Sequence, residues 1–553
     1  MPESVAVGRA RRRDGRRWLF AAGIIALAVA LPVLGLLAQA VQGSAGLWPH
    51  LLATVLRVAL VDTIVLLCGV GLVTAVVGTG SAWLVTAYAF PGRRILEWAL
   101  LLPLAVPSYI IAYAYLDILH PIGTFQGVVR WLLGYSSPRE FRLPDVRSMT
   151  GCILLMGFVL YPYVYIPTRA MFLTQSANLI DAARLLGVSR RAVFWRVALP
   201  LARPAVAVGI SLALMEALND VGAVEFLGVR TLTVSIYTTW ITRTDLPGAS
   251  QIALSLLLIV VALVAMERWA RRRQRYTADV QRSRSLQPRP VPFWTGSAML
   301  LAGCLPVLFG FVAPAVYLAS EAWKRFRFAG LSPNFVHEAG TTILLATVAT
   351  VLTILCGLVV AYTLRVRPNR ASVWSFRLAT MGYAAPGTVI AIGVLIVLAS
   401  VDRFIDRNAQ DWFGVSTGLL FMGSGAALIY AYAVRFLAIT AGGIDAGLSR
   451  IPPSLDHAAR TLGQSQLGTF RQVLLPLSQP AIFAAGLLVF VDCVKELPAT
   501  LLLRPLNVET FATHLYGEAA RGTYEEASIA ALAIVAIGVL PVVLLSRFQR
   551  LKL

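Results

Sequence analysis

Charge is scarce in this chain. Of 553 residues only 14% are Asp, Glu, Lys or Arg and 58% are hydrophobic, where a soluble domain carries about 25% charged residues. A water-soluble globule is excluded on that ground. Lysine is scarcer still, with Lys324, Lys495 and Lys552 the only three, and no GxxxxGK[ST] loop occurs. The chain therefore cannot cradle nucleotide phosphates in the P-loop manner. Cys68, Cys152, Cys304, Cys356 and Cys493 fall inside apolar stretches without CxxC spacing or a nearby His, which supports packing rather than a disulfide framework or a zinc site. His50, His120, His337 and His514 lack ligand-like spacing. No catalytic residue, resident metal or cofactor is read from the sequence, and an enzyme is not expected.

What is present is apolar length and basic charge. The mean hydropathy is +0.74, and at ~20 apolar residues per span a dozen helices would use roughly 240 residues. Twelve runs qualify: 17–41, 58–80, 96–118, 150–173, 204–226, 250–269, 293–318, 341–364, 375–400, 414–440, 478–500 and 523–546. The expected fold is an all-α polytopic membrane protein. The excess of 48 Lys and Arg over 27 Asp and Glu would point to nucleic acid in a soluble chain. Here the arginines sit at the ends of apolar runs, so the lipid bilayer is the expected partner and nucleic acid is not. With the N-terminus inside, inner segments hold 30 Lys and Arg and outer loops 14, which favours a multi-pass protein of a bacterial cytoplasmic membrane with both termini cytoplasmic. The apolar run from Trp18 is too long for a secretory signal and lacks a cleavage site, so it reads as a retained first span.

Residues 271–292 form a basic, Pro-containing stretch that divides the chain nearly in half. It reads as a cytoplasmic linker between a first half at 1–270 and a second at 293–553, six spans each. The halves repeat. Asp181–Ala205 and His457–Ala481 agree at 13 of 25 positions without a gap at an offset of 276, aligning Gly187 with Gly463, Pro200 with Pro476 and Pro204 with Pro480. Glu216 and Asp220 meet Asp492 and Glu496 at the same offset, and Pro107 meets Pro386 at 279. Two copies of one membrane unit are fused.

Each repeated segment lies in an inner loop between the fourth and fifth spans of its half. It reads as a short helix with apolar teeth, a Gly that permits a turn, a second amphipathic helix and then Leu-Pro. At these residues the sequence resembles the EAA loop of binding-protein-dependent ABC transporter permeases. The first copy, 181–200, reads Asp181-Ala182-Ala183, Gly187 and Leu199-Pro200; the second, 457–476, reads His457-Ala458-Ala459, Gly463 and Leu475-Pro476. The resemblance runs from span two to span twelve and implies a type I importer fold, with each loop a coupling helix seated in one of two cytoplasmic ATPase subunits and an extracytoplasmic solute-binding protein as third partner. His457 departs from the acidic position of the motif, which puts a salt bridge to the ATPase there in doubt.

After each loop the chain reads LMEALNDVGAVEFLGV from Leu214 and KELPATLLLRP from Lys495. Both stretches resemble fused ferric-iron permeases, although permeases for thiamine, polyamine, sulfate and phosphonate share the scaffold. Glu216 and Asp220 are four apart, as are Asp492 and Glu496, so each pair is expected on one helix face in the outer third of the bilayer. Carboxylates at that depth either line a water-filled path, where a hard cation would prefer oxygen ligands, or form an ion-pair network whose natural partner is Lys495. Tyr109, Tyr113, Tyr115, Tyr161, Tyr163 and Tyr165 are read as an aromatic belt before iron-binding phenolates. An ion-gradient-driven secondary transporter remains the alternative of another class, and a non-transporting scaffold a third; neither supplies a reason for both the duplicated loops and the repeated acids.

Overall fold

The computed structural model describes residues 2–42, 49, 51–174, 189–272 and 288–550. Helix dominates for a physical reason: in hydrocarbon the backbone must satisfy its own hydrogen bonds. Among the described residues eleven helices are long and apolar enough to cross a membrane, or up to twelve if one bent pair counts as a single span. The runs 204–226, 375–400, 414–440 and 478–500 are displaced, appearing as Phe194–Asn219, Gly387–Phe413, Ala426–Ser449 and Gln466–Val494.

Proline accounts for most departures from straight helices. The run 96–118 is not one straight helix: Arg93–Ala105 and Ser108–Ile118 meet at 93°. Val106 is extended at φ −110, ψ 120 and Pro107 at φ −57, ψ 142 caps the following helix. In the second half Ala385 at φ −80, ψ 132 precedes Pro386 at φ −56, ψ 147, which caps Gly387–Phe413. A residue before proline is pushed out of the helical region, so each Pro begins a helix rather than continuing one. Further along, wide turns at Phe194–Ala198, Leu308–Val312 and Phe470–Leu474 lie just ahead of Pro200, Pro314 and Pro476. The pyrrolidine ring removes one donor and crowds the carbonyl four residues back, which the wider turn relieves.

Packing divides the chain into two compact units that do not follow the repeat boundary. One comprises Met1–Trp48, Ile236–Leu257 and Pro333–Thr513; the other Pro49–Ser235, Leu258–Ser332 and His514–Leu553. In the first unit Pro2–Val41 packs on Phe335–Val366, Arg370–Ala379 and Gly387–Phe413, with the Tyr430 hydroxyl donating to the Ala28 carbonyl at 2.6 Å. The chain's first span is thus built into the core of the second repeat. In the other unit Arg57–Ala87 packs on Met149–Thr174, and Ala313–Ala329 on Tyr524–Arg550. The halves 1–270 and 293–553 are divisions of sequence, and within each unit small residues on the crossing faces let helices close on one another. Gly78 and Gly357 show this at an offset of 279: a Cβ on Gly78 would lie 2.8 Å from the Tyr161 carbonyl oxygen, and one on Gly357 3.1 Å from the Ala441 nitrogen. Close backbone approach of this kind is how membrane helices associate. The repeat also shows in paired hydrogen bonds, Leu232 N–H to Thr63 Oγ1 and Phe511 N–H to Thr342 Oγ1, each 3.0 Å.

Candidate functional site

The second repeated loop is described in full. Pro452, extended at φ −56, ψ 137, introduces the helix Pro453–Thr461, with Pro453 in the first turn where its missing N–H leaves no bond unmade. The helix ends on Gly463 at φ +85. Its N–H donates to the Arg460 carbonyl and that of Gln464 to the Ala459 carbonyl, both at 3.0 Å, the left-handed cap that glycine adopts at little cost. Ser465 then starts Gln466–Thr469, its hydroxyl accepting from Gly468 N–H at 3.0 Å. Leu475-Pro476 opens the span Leu475–Val494. His457 and Ala458 are exposed while Ala459 is buried. Leu462 is 83% exposed, and Leu455 and Leu467 also face outward.

Two residues that the sequence did not single out hold this loop. Arg365, in the last turn of Phe335–Val366, donates to both carboxylate oxygens of Asp456, from Nε at 2.9 Å and Nη2 at 3.2 Å. It also donates to the carbonyls of Leu448 and Ile451. The acid of this loop therefore stands one residue before His457 and points back into its own unit, leaving the motif's acidic position itself to an exposed imidazole. A bidentate Arg–carboxylate pair fixes orientation as well as distance. Beside it the Tyr362 hydroxyl donates to the Gln466 carbonyl at 2.8 Å. Tyr362 lies 5.0 Å from Trp18 and 4.7 Å from Phe470, centroid to centroid. Both arms of the loop are thus fastened to one helix end. An Arg at a span end had looked like topology alone.

Of the first loop, Asp181, Ala182, Ala183 and Gly187 lie outside the described residues; Leu199 and Pro200 begin Leu199–Asn219. Its flank repeats the aromatic contact: Trp83 is 5.2 Å from Phe194 and 5.3 Å from Phe172. Phe194 aligns with Phe470 at 276 and Trp83 with Tyr362 at 279. Glu97 receives Arg93 at 2.9 Å and Arg169 at 3.1 Å on the same flank.

The embedded acids are arranged differently from the helical spacing. Leu199–Asn219 ends just before Asp220, and Leu475–Val494 before Lys495. Asp220 and Glu496 consequently sit beyond their helices and do not share a face with Glu216 and Asp492. Both are buried. Asp220 accepts from the Ser108 hydroxyl and from Ala223 N–H at 2.8 Å, joining the turn to the helix that Pro107 begins. Glu496 accepts from Arg435 Nη1 at 2.6 Å, Ala499 N–H at 3.0 Å, Thr500 N–H at 3.1 Å and the Thr500 hydroxyl at 2.8 Å. It caps the helix Pro498–Leu503. The expected partner Lys495 instead contacts Asp492 at 2.8 Å, because one helical turn sets them on one side while the chain swings Glu496 away. Glu216, Asp492 and Lys495 are half-buried. Hydrogen-bonded carboxylates just past the two helix ends act as structural caps, which leaves those three as the acids and base of the set with partial access.

The tyrosines form no belt. Tyr113, Tyr161 and Tyr165 are buried. Tyr161 and Tyr165 donate to the carbonyls of Leu100 and Glu97, both at 2.9 Å. Tyr115 donates to the Phe309 carbonyl at 2.7 Å. The bent third span frees carbonyls at the end of Arg93–Ala99, and in a dry setting the phenols satisfy them.

A twice-repeated membrane bundle whose described loop, 453–469, presents an exposed helical turn around Leu462 fits a transport permease. The model of the family described as "Binding-protein-dependent transport system inner membrane component" matches residues 69–276 and again 353–551, and the chain belongs to that family. It is 24% identical over 492 residues to the Fe(3+)-transport system permease protein FbpB 2 of Haemophilus influenzae, covering 88% of this chain and 89% of that protein. It is 23% identical over 525 residues to the "Probable ABC transporter permease protein y4fN" of Sinorhizobium fredii, covering 90% of this chain and 88% of that one. A "Probable molybdenum ABC transporter permease protein" of Haloferax volcanii is 28% identical over 250 residues, 45% of this chain and 87% of that protein. The chain is a multi-pass permease of an ABC importer.

Proposed function

We propose that the chain is the whole membrane-spanning part of an ATP-driven importer for ferric iron, delivered by an extracytoplasmic binding protein and moved as two cytoplasmic ATPase subunits close and part on the loops at 181–200 and 457–476. The observation that carries the substrate is the likeness to the Haemophilus iron permease along 88% of the chain, because it spans both fused halves. The loop geometry supports the coupling: an exposed apolar knob around Leu462, held by Arg365 and Asp456, passes a push from below to Phe335–Val366 with little slack. Ala182, Ala183 and Gly187 in the first loop, and Ala458, Ala459 and Gly463 in the second, are its coupling residues. Glu216, Asp492 and Lys495 are the candidates for contact with the moving solute, with Asp220 and Glu496 supporting the turns beside them. Both termini are cytoplasmic in this reading, in keeping with the distribution of arginine.

The test is uptake of radioiron into vesicles bearing the complex with its binding protein and internal ATP. ATP-dependent iron uptake that excess molybdate, thiamine, polyamine or phosphonate leaves unchanged supports the proposal. Competition by one of those solutes would assign the same scaffold to it, and uptake driven by an ion gradient without ATPase subunits would overturn the coupling.

A further inference from the structure

The helix Thr124–Leu133 is amphipathic, yet it is folded inside out. Gln126 is 2% exposed and Arg130 7%, while Trp131 is 77% exposed and Phe125, Val128 and Leu132 face outward with it. The inward polar groups are bonded to the helix's own surroundings: Gln126 donates to the Leu119 carbonyl at 2.6 Å and accepts from Leu143 N–H at 3.1 Å, and Arg130 donates to the Pro121 carbonyl at 2.9 Å. Phe125, Val128 and Trp131 follow one another at three-residue steps along one face. In water this arrangement would be reversed.

The other unit carries part of the same pattern at the end of Gly387–Phe413, where Arg403, Arg407 and Asp411 are also exposed. Asp402 turns inward to accept from Phe421 N–H at 3.0 Å and Met422 N–H at 2.9 Å. Asp406 accepts from the Ser416 hydroxyl at 2.8 Å and Thr417 N–H at 2.7 Å. Phe404, Trp412, Phe413, Leu419 and Leu420 point out. Phe125 and Phe404 correspond at 279, the offset of Pro107 and Pro386. Each segment follows the far end of a span, opposite the loops that precede Leu199 and Leu475.

We propose that these two segments are interfacial anchors that lie in the lipid leaflet opposite the coupling loops, with their aromatic and aliphatic side chains in the acyl region, Gln126, Arg130 and Asp402 turned to the protein, and Arg403, Arg407 and Asp411 at headgroup level. Lipid is the occupant because the outward face of Thr124–Leu133 is apolar and broad, each segment lies where a span ends, and the two present Trp131 and Trp412, the side chain that settles at the boundary of hydrocarbon and headgroup. The adjoining loop is aqueous by contrast: Arg139 and Glu140 are exposed, and the Ser136 amide holds the Glu140 carboxyl below its ordinary range.

The experiment is spin-label accessibility in phospholipid nanodiscs, on the full chain with its five native cysteines replaced by alanine. Labels are placed by Val128→Cys, Trp131→Cys and Phe404→Cys, with Arg139→Cys as the aqueous reference. The expected result is an oxygen-to-nickel-chelate accessibility ratio several-fold higher at 128, 131 and 404 than at 139, with or without a binding protein. Val128→Cys keeps Trp131, so misfolding of the Trp131 variant leaves the test intact. Chelate access at 128 and 404 equal to that at 139 would overturn the proposal, and chelate access lost only when a binding protein is added would assign the face to protein docking instead.

Discussion

Neutralising Glu496 should unfold the protein far more readily than neutralising its neighbour Asp492. The Glu496 side chain is 1% exposed and Arg435 9%, so Glu496→Gln strands a guanidinium with almost no water to take its place. Losing one partner of such a pair costs about 3–5 kcal/mol, a factor of roughly a hundred to several thousand in the folded-to-unfolded ratio. The amide also meets the donors of Ala499 and Thr500 with an acceptor at only one of its two terminal atoms. Asp492 and Lys495 are 23% and 28% exposed, so Asp492→Asn should cost about 0.2–1 kcal/mol. Asp220→Asn loses hydrogen bonds to Ser108 and Ala223 and falls between, at about 1–3 kcal/mol. Thermal unfolding in nanodiscs, followed by tryptophan emission and paired with uptake on the same preparations, ranks the three. Equal midpoints for Glu496→Gln and Asp492→Asn would refute the capping role, and Lys495→Met destabilising more than Arg435→Met would restore Lys495 as the partner.

The proposed coupling role of the repeated loops yields three further outcomes. Gly463→Val places a β-branched residue at φ +85, a conformation worth about 1–3 kcal/mol of strain; the chain should insert normally while stimulation of ATPase activity is lost, and full stimulation would count against the loop's role. Asp456→Asn should loosen the loop from Arg365, lowering ATP-driven uptake at unchanged membrane abundance, with the exchange Arg365→Asp plus Asp456→Arg recovering part of it; wild-type uptake in Asp456→Asn would remove the brace from the mechanism. Asp181→Ala should weaken binding of the ATPase subunits at low salt more than His457→Ala, by about 0.2–1 kcal/mol and less as salt rises; titration showing equal losses would end that asymmetry.

The repeat was legible because its landmarks are spaced in number, not in shape. The offset of 276 that joins Gly187 to Gly463 also joins Phe194 to Phe470, and both phenylalanines sit in the wide turn before Leu-Pro. Hydropathy counts apolar residues without regard to direction, so the run 96–118 looked continuous although Pro107 turns the chain through 93°. For the same reason Asp220 and Glu496 were placed on helices that stop one or two residues short of them. Asp456 was hidden beside His457 because a motif names positions, whereas the bond to Arg365 depends on which side of a helical turn faces home. The tyrosines point the same way: their composition fits a belt, and only the carbonyls freed by the bend show what the hydroxyls are for.

The most direct test of the central claim is the mass of the intact transporter under native conditions, in complex with its ATPase and binding-protein partners. One copy of this chain with two ATPase subunits and at most one binding protein is the predicted composition, since in the proposed reading each fused half supplies one coupling loop. Two copies of this chain in the complex that transports would contradict it.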